Sequence, residues 1–95
     1  MSDKTEQLAE FTALVERFVQ LANEMKGAGK PLPMINAALM SASATYGTYV
    51  AAGNDGCLRP SGVDKVVDAY RNQVIKIQEL KRQTIHSEGK DIPTE

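Results

Sequence analysis

The sequence predicts an all-α protein, a three-helix up-down-up bundle, on three observations. Three segments space their apolar residues three and four apart, as one face of an α-helix requires. Two short connectors with Gly and Pro, 27–32 and 53–60, separate those segments. Between the connectors, the stretch PLPMINAALMSASATYGTYVAAGN (31–54) contains no charged residue, in a chain that is 24% charged. That stretch is too polar and too broken by small residues to span a membrane. It reads as a central helix without a proper solvent face, covered by its neighbours.

The first helix is expected over 5–26. Leu8, Phe11, Val15, Phe18, Ala22 and Met25 form its stripe, and Leu14 and Leu21 widen it. Glu6, Glu10, Glu16, Arg17 and Glu24 lie largely off that face. The early acids suit the positive end of the helix dipole, and Asp3 with Glu6 offers a capping box. Lys26 followed by Gly27 marks the stop. In the connector GAGKPL, Leu32 precedes a proline and is expected to be extended. Pro33 then opens the second helix, expected over 33–52, because its missing N–H costs nothing in a first turn. So short a link favours antiparallel neighbours.

The second helix has a heavy face of Ile35, Ala38, Leu39, Ala42, Tyr46, Tyr49 and Val50 and a stripe of small residues that includes Ala37, Ser41, Ala44 and Thr48. A third row carries Asn36, Met40, Ser43, Gly47 and Ala51, where a solvent-facing helix normally carries Lys and Glu. Small side chains let another backbone approach closely. The row is therefore either packed tightly within the chain or an interface with another molecule, unless it is simply a well-solvated Ala/Ser face. Gly53 closes the helix in the left-handed conformation, and Asn54-Asp55-Gly56 continues the turn.

Ser61 with Asp64 gives a capping-box signature for the third helix, expected over 62–86. Val63, Val67, Tyr70, Val74 and Ile77 form its stripe, with Val66 and Leu80 alongside. Ile75 falls off that line, an exposed apolar candidate. Lys76, Lys81, Arg82 and His86 gather at the end where cations suit the dipole. Residues 87–95, without a period, are expected to be a loose tail after a single domain over 1–86. Residues 1–26 carry five acids and three bases, and 61–86 carry three acids and five bases. That opposite balance modestly favours adjacency of the first and third helices.

Composition narrows the function classes. Ninety-five residues give one modest core. A net charge of −1 argues against a globally basic nucleic-acid binder, and the absence of Trp argues against a stacking platform for single strands. One cysteine permits no internal disulfide, and a reducing compartment follows as the simpler expectation. The segment MSDKTEQLAEF does not read as a signal peptide, and no run of 18 strongly apolar residues exists, so the expected location is the cytoplasm with no membrane span.

No residue set commits the chain to a reaction, and no catalytic residue, cofactor or metal is assigned. His86 has no second histidine three or four residues away, so it does not make a metal site. Cys57, in a glycine-flanked loop near Arg59, is the candidate reactive thiol. It stands about 35 Å of helix from His86, at 1.5 Å per residue, too far for a Cys/His pair within one chain. The segment GNDGCLRPSG lacks the Gly-Lys-Ser/Thr ending of a phosphate loop. Tyr46, Tyr49 and Tyr70 could line a ligand pocket with Met40, although tyrosines at helical spacing more often belong to a core with the hydroxyl at its rim. A helix-turn-helix is disfavoured by a long connector and by Asp64, Asp68 and Glu79 among the bases of the third helix.

The pattern Phe18-x-x-Leu21-Ala22-Asn23, then Ala37-Ala38-Leu39-Met40-x-Ala42-x-Ala44-x-Tyr46 and Tyr49-Val50-Ala51-Ala52, resembles a family of small, all-helical, cytoplasmic bacterial proteins of unknown function. The resemblance covers about residues 11–75 and implies a fold and a bacterial origin, with no catalytic residue. The chain departs from it at Thr45 and Gly47, where that family often carries an arginine and an asparagine around the aromatic residue. It departs again at VIKIQELK, in place of a more acidic ending. The function expected from the residues is a protein–protein interaction module. It would self-associate as a homo-oligomer or dock on another protein through Asn36, Met40, Ser43, Gly47 and Ile75. The alternative is a small-ligand binder or enzyme with its pocket at Tyr46, Tyr49 and Tyr70.

Overall fold

The structure, a computed structural model, describes residues 3–87. It holds three α-helices, α1 (Asp3–Gly27), α2 (Leu32–Ala52) and α3 (Pro60–Ser87), and no strand among the described residues. The protein is therefore all-α with three helices, the class that the apolar spacing predicts. The expected limits move outward by at most two residues. Ser87, expected in the tail, ends α3, where its Oγ donates to the Thr84 carbonyl at 3.1 Å. The rest of the expected tail, 88–95, lies outside the described residues.

The helix ends show which local signals prevail. At the end of α1 the stop is Gly29, with φ 93°, and not Gly27, which is still helical. Lys30 N–H donates to the Met25 carbonyl at 3.1 Å and Gly29 N–H to the Lys26 carbonyl at 3.0 Å. This is the Schellman pair, which closes only around a left-handed residue. The start of α2 lies at Leu32, since Ile35 N–H reaches back to the Pro31 carbonyl at 3.0 Å. Leu32 is thus helical despite preceding a proline. Pro33 sits in the first turn, where no intrahelical donor is needed. Gly53, with φ 81°, ends α2 by donating to the Tyr49 carbonyl at 2.8 Å, as expected.

At the start of α3 the Arg59 carbonyl accepts from Gly62 at 2.8 Å and from Val63 at 3.0 Å. The cap position therefore falls on Arg59, and Pro60 takes the first helical position, for which its fixed φ is suited. Ser61 lies inside the first turn, so the expected Ser61–Asp64 capping box is displaced by the proline before it.

Two compact units divide the chain, Met1–Thr45 and Tyr46–Glu95. The first contains α1, its connector and α2 through Thr45. In it Ile35 is buried, at 7% exposure, and Ala22 is partly buried. The second contains the last turns of α2, the loop and α3. There Gly47, Thr48, Ala52, Leu58, Gly62 and Val66 are partly buried.

The core differs from the one the stripes suggest. Ile35 is the single buried hydrophobic residue among those described, while Leu8, Phe11, Val15, Phe18, Met25, Val67, Tyr70 and Ile77 all remain exposed. The second helix is not a covered one either, with Val50 at 84% exposure. The reason is geometric. Each unit contains one whole helix and part of another. Two helical segments share a seam, and a closed core needs a further layer over it.

Candidate functional site

What stands out is surface. The stripe of α1 begins at Leu8 and repeats through Phe11, Val15, Phe18, Ala22 and Met25, alternating three and four residues. This average of 3.5 keeps one seam in line along a helix that pairs with another. Phe18 is 61% exposed, and Leu14, Val19 and Leu21 widen the apolar face with roughly half of each side chain accessible. On α3, Val63, Val67, Tyr70, Val74 and Ile77 repeat the same spacing and are likewise exposed. Both stripes are therefore apolar side chains that remain open along one face of their helix.

The face of α2 is uncharged, and its polar groups turn back on their own helix. Thr45 Oγ1 donates to the Ser41 carbonyl at 2.9 Å, so that hydroxyl needs no outside partner. Asn36 Nδ2 reaches Met40 Sδ at 3.8 Å, a weak contact between two of the expected interface residues. Asn36, Met40 and Ser43 are exposed, as is Ile75 on α3. Gly47 stands differently. A Cβ built on it would meet Val66 Cγ1 at 3.4 Å, so this end of the row lies against α3 within the second unit.

The tyrosines of the expected pocket are all exposed. Tyr46 and Tyr49 pack ring to ring, with centroids 5.8 Å apart and a 59° tilt, while Tyr46 stays 71% exposed. Such a tilted pair stabilises one turn of helix. Tyr70 is also exposed. A hollow of about 430 Å³ lies instead along α1, lined by Leu14, Arg17, Phe18, Gln20, Leu21 and Glu24. Residues of a single helix floor such a hollow without walling it. It is apolar along Leu14, Phe18 and Leu21 and polar at Arg17, Gln20 and Glu24. Leu14 and Leu21 were visible in the sequence as the widening of the stripe, but nothing in their spacing marks a hollow.

The remaining candidates are dispersed. Cys57 is a free, exposed thiol in the loop before α3, and His86 is in the last turn of α3. Among the described residues no group of three His, Cys, Asp or Glu side chains could hold a metal ion. No described helix is long and apolar enough to cross a membrane. Compared with protein-family models, with curated proteins and with solved structures, the chain matches none.

Proposed function

We propose that the chain is a small helical protein–protein interaction module that self-associates or docks on a protein partner. One observation supports this reading above the others: large apolar side chains line all three helices in the open, while Ile35 alone among the described hydrophobic residues is buried. Fully burying an exposed large apolar side chain is worth about 1.5–3 kcal/mol, and each of these half-exposed residues adds part of that on association. The uncharged face of α2 adds surface on which no charge need be desolvated. Its Thr45 hydroxyl is already satisfied within the helix. A cytoplasmic module of bacterial origin is what the sequence resemblance over 11–75 implies.

The test is association measured with fold intact. Met40→Glu and Ser43→Glu place charge on the exposed part of the α2 row and are expected to weaken association at least about tenfold, a loss of roughly 1.4 kcal/mol. Helix content by circular dichroism should stay unchanged. Association as tight as that of the unaltered chain in both variants would remove α2 from the interface.

A further inference from the structure

The proposed function leaves open what covers the stripes of α1 and α3, and the inference drawn here rests on that reading. We propose that the occupant is a second copy of this chain, and that α1 of each copy pairs antiparallel with α3 of the other. Three observations select this arrangement.

The first is pattern. Both helices repeat their exposed apolar residues at alternating three and four, so each presents the straight seam of a helix that pairs along its length. The two seams are similar in extent, since α1 has 25 residues and α3 has 28. Four apolar repeats on each, from Leu8 to Phe18 and from Val67 to Ile77, can interdigitate without overhang.

The second is area. Eight large apolar residues on α1 and seven on α3 are each about half exposed. At roughly 200 Å² for a large side chain, covering both stripes on two copies removes up to about 3,000 Å² from water. That falls in the range of about 2,000–5,000 Å² typical of obligate homodimers. Two-fold symmetry repeats the contact, so one pairing serves both stripes of both copies.

The third is charge, which chooses the partner helix and its direction. The first half of α1 holds Asp3, Lys4, Glu6 and Glu10, a net −2, and its second half is balanced. The second half of α3 holds Lys76, Glu79, Lys81 and Arg82, a net +2, and its first half is balanced. Pairing α1 with α1 in parallel sets −2 against −2, and pairing α3 with α3 in parallel sets +2 against +2. Antiparallel pairing of α1 with α3 sets the two unlike excesses side by side, and it also opposes the helix dipoles favourably.

A charge exchange between two variants tests this. Variant one carries Glu6→Lys and Glu10→Lys, which turns the start of α1 to +2. Variant two carries Lys81→Glu and Arg82→Glu, which turns the end of α3 to −2. In buffer of about 10 mM ionic strength, where screening extends over roughly 30 Å, each variant alone should dissociate at least about tenfold more readily than the unaltered dimer. Their equimolar mixture should recover an affinity within about threefold of the unaltered chain. Recovery on mixing arises only if α1 of one chain meets α3 of another; a contact closed within one chain gains nothing from mixing. An unaltered dimer whose variants associate normally, or whose mixture is no tighter than its parts, overturns the α1–α3 pairing and leaves the interaction module standing. An unaltered chain that is monomeric at about 100 μM overturns the second copy as occupant. If either variant loses helix content, Glu6→Gln with Glu10→Gln replaces it. That neutral pair should weaken the dimer about threefold and flatten its salt dependence, and no change in either quantity counts against the pairing.

Discussion

Two glycines two residues apart carry opposite predictions. Gly29 holds φ 93° and closes the Schellman pair, so a side chain there is strained whatever room it has. Gly29→Ala should destabilise the chain by about 1–2 kcal/mol, the cost of a left-handed L-residue. Gly27 is helical and nothing lies within 4 Å of a Cβ built on it. Gly27→Ala should therefore stabilise by about 0.5–1 kcal/mol. Urea titrations of the two variants check both signs; Gly27→Ala as the harmful one would restore the stop to the position the sequence suggests. The sequence could not separate them, because Lys26-Gly27 and Gly29-Lys30 both look like ends and only the hydrogen bonds from Gly29 and Lys30 decide. The same limit applies at α3, where Ser61 and Asp64 have the composition of a capping box but Pro60 takes the first helical position.

At the scale of elements, the three helices were legible to within two residues, because alternating three-and-four spacing between Gly/Pro connectors has few other solutions. What covers each stripe was not legible. Periodicity shows which face of Leu8 to Met25 is apolar and says nothing about which surface it meets. The candidate site was legible in the same partial way. Asn36, Met40 and Ser43, singled out by their missing charges, are exposed, whereas Gly47, grouped with them, lies against Val66. This gives a prediction within α2. Gly47→Glu should cost stability, because its side chain starts 3.4 Å from Val66 Cγ1, while Ser43→Glu should leave the melting temperature within a few degrees. Thermal melts distinguish them, and equal tolerance of both would place Gly47 on the open face. On α1, Phe18→Gln removes an exposed aromatic from the stripe and should weaken association about tenfold to a hundredfold, following the 1.5–3 kcal/mol attached to burying a Phe. Sedimentation of the variant against the unaltered chain measures this, and an unchanged dissociation constant would take the α1 stripe out of the contact.

For the molecule as a whole, Ile35 is the one buried hydrophobic residue among those described, while ordering the helices costs about 1–2 kcal/mol per residue of backbone. On the proposed reading a second copy adds to that burial, so stability should rise with concentration. Cys57, exposed and single, leaves every copy one free thiol for labelling outside the helices. The most direct measurement is the absolute mass in solution by light scattering from about 1 to 100 μM, a span that brackets weak to moderate association. The account predicts twice the mass of the chain at the upper end, falling toward the single-chain mass on dilution. A single-chain mass at every concentration would contradict it.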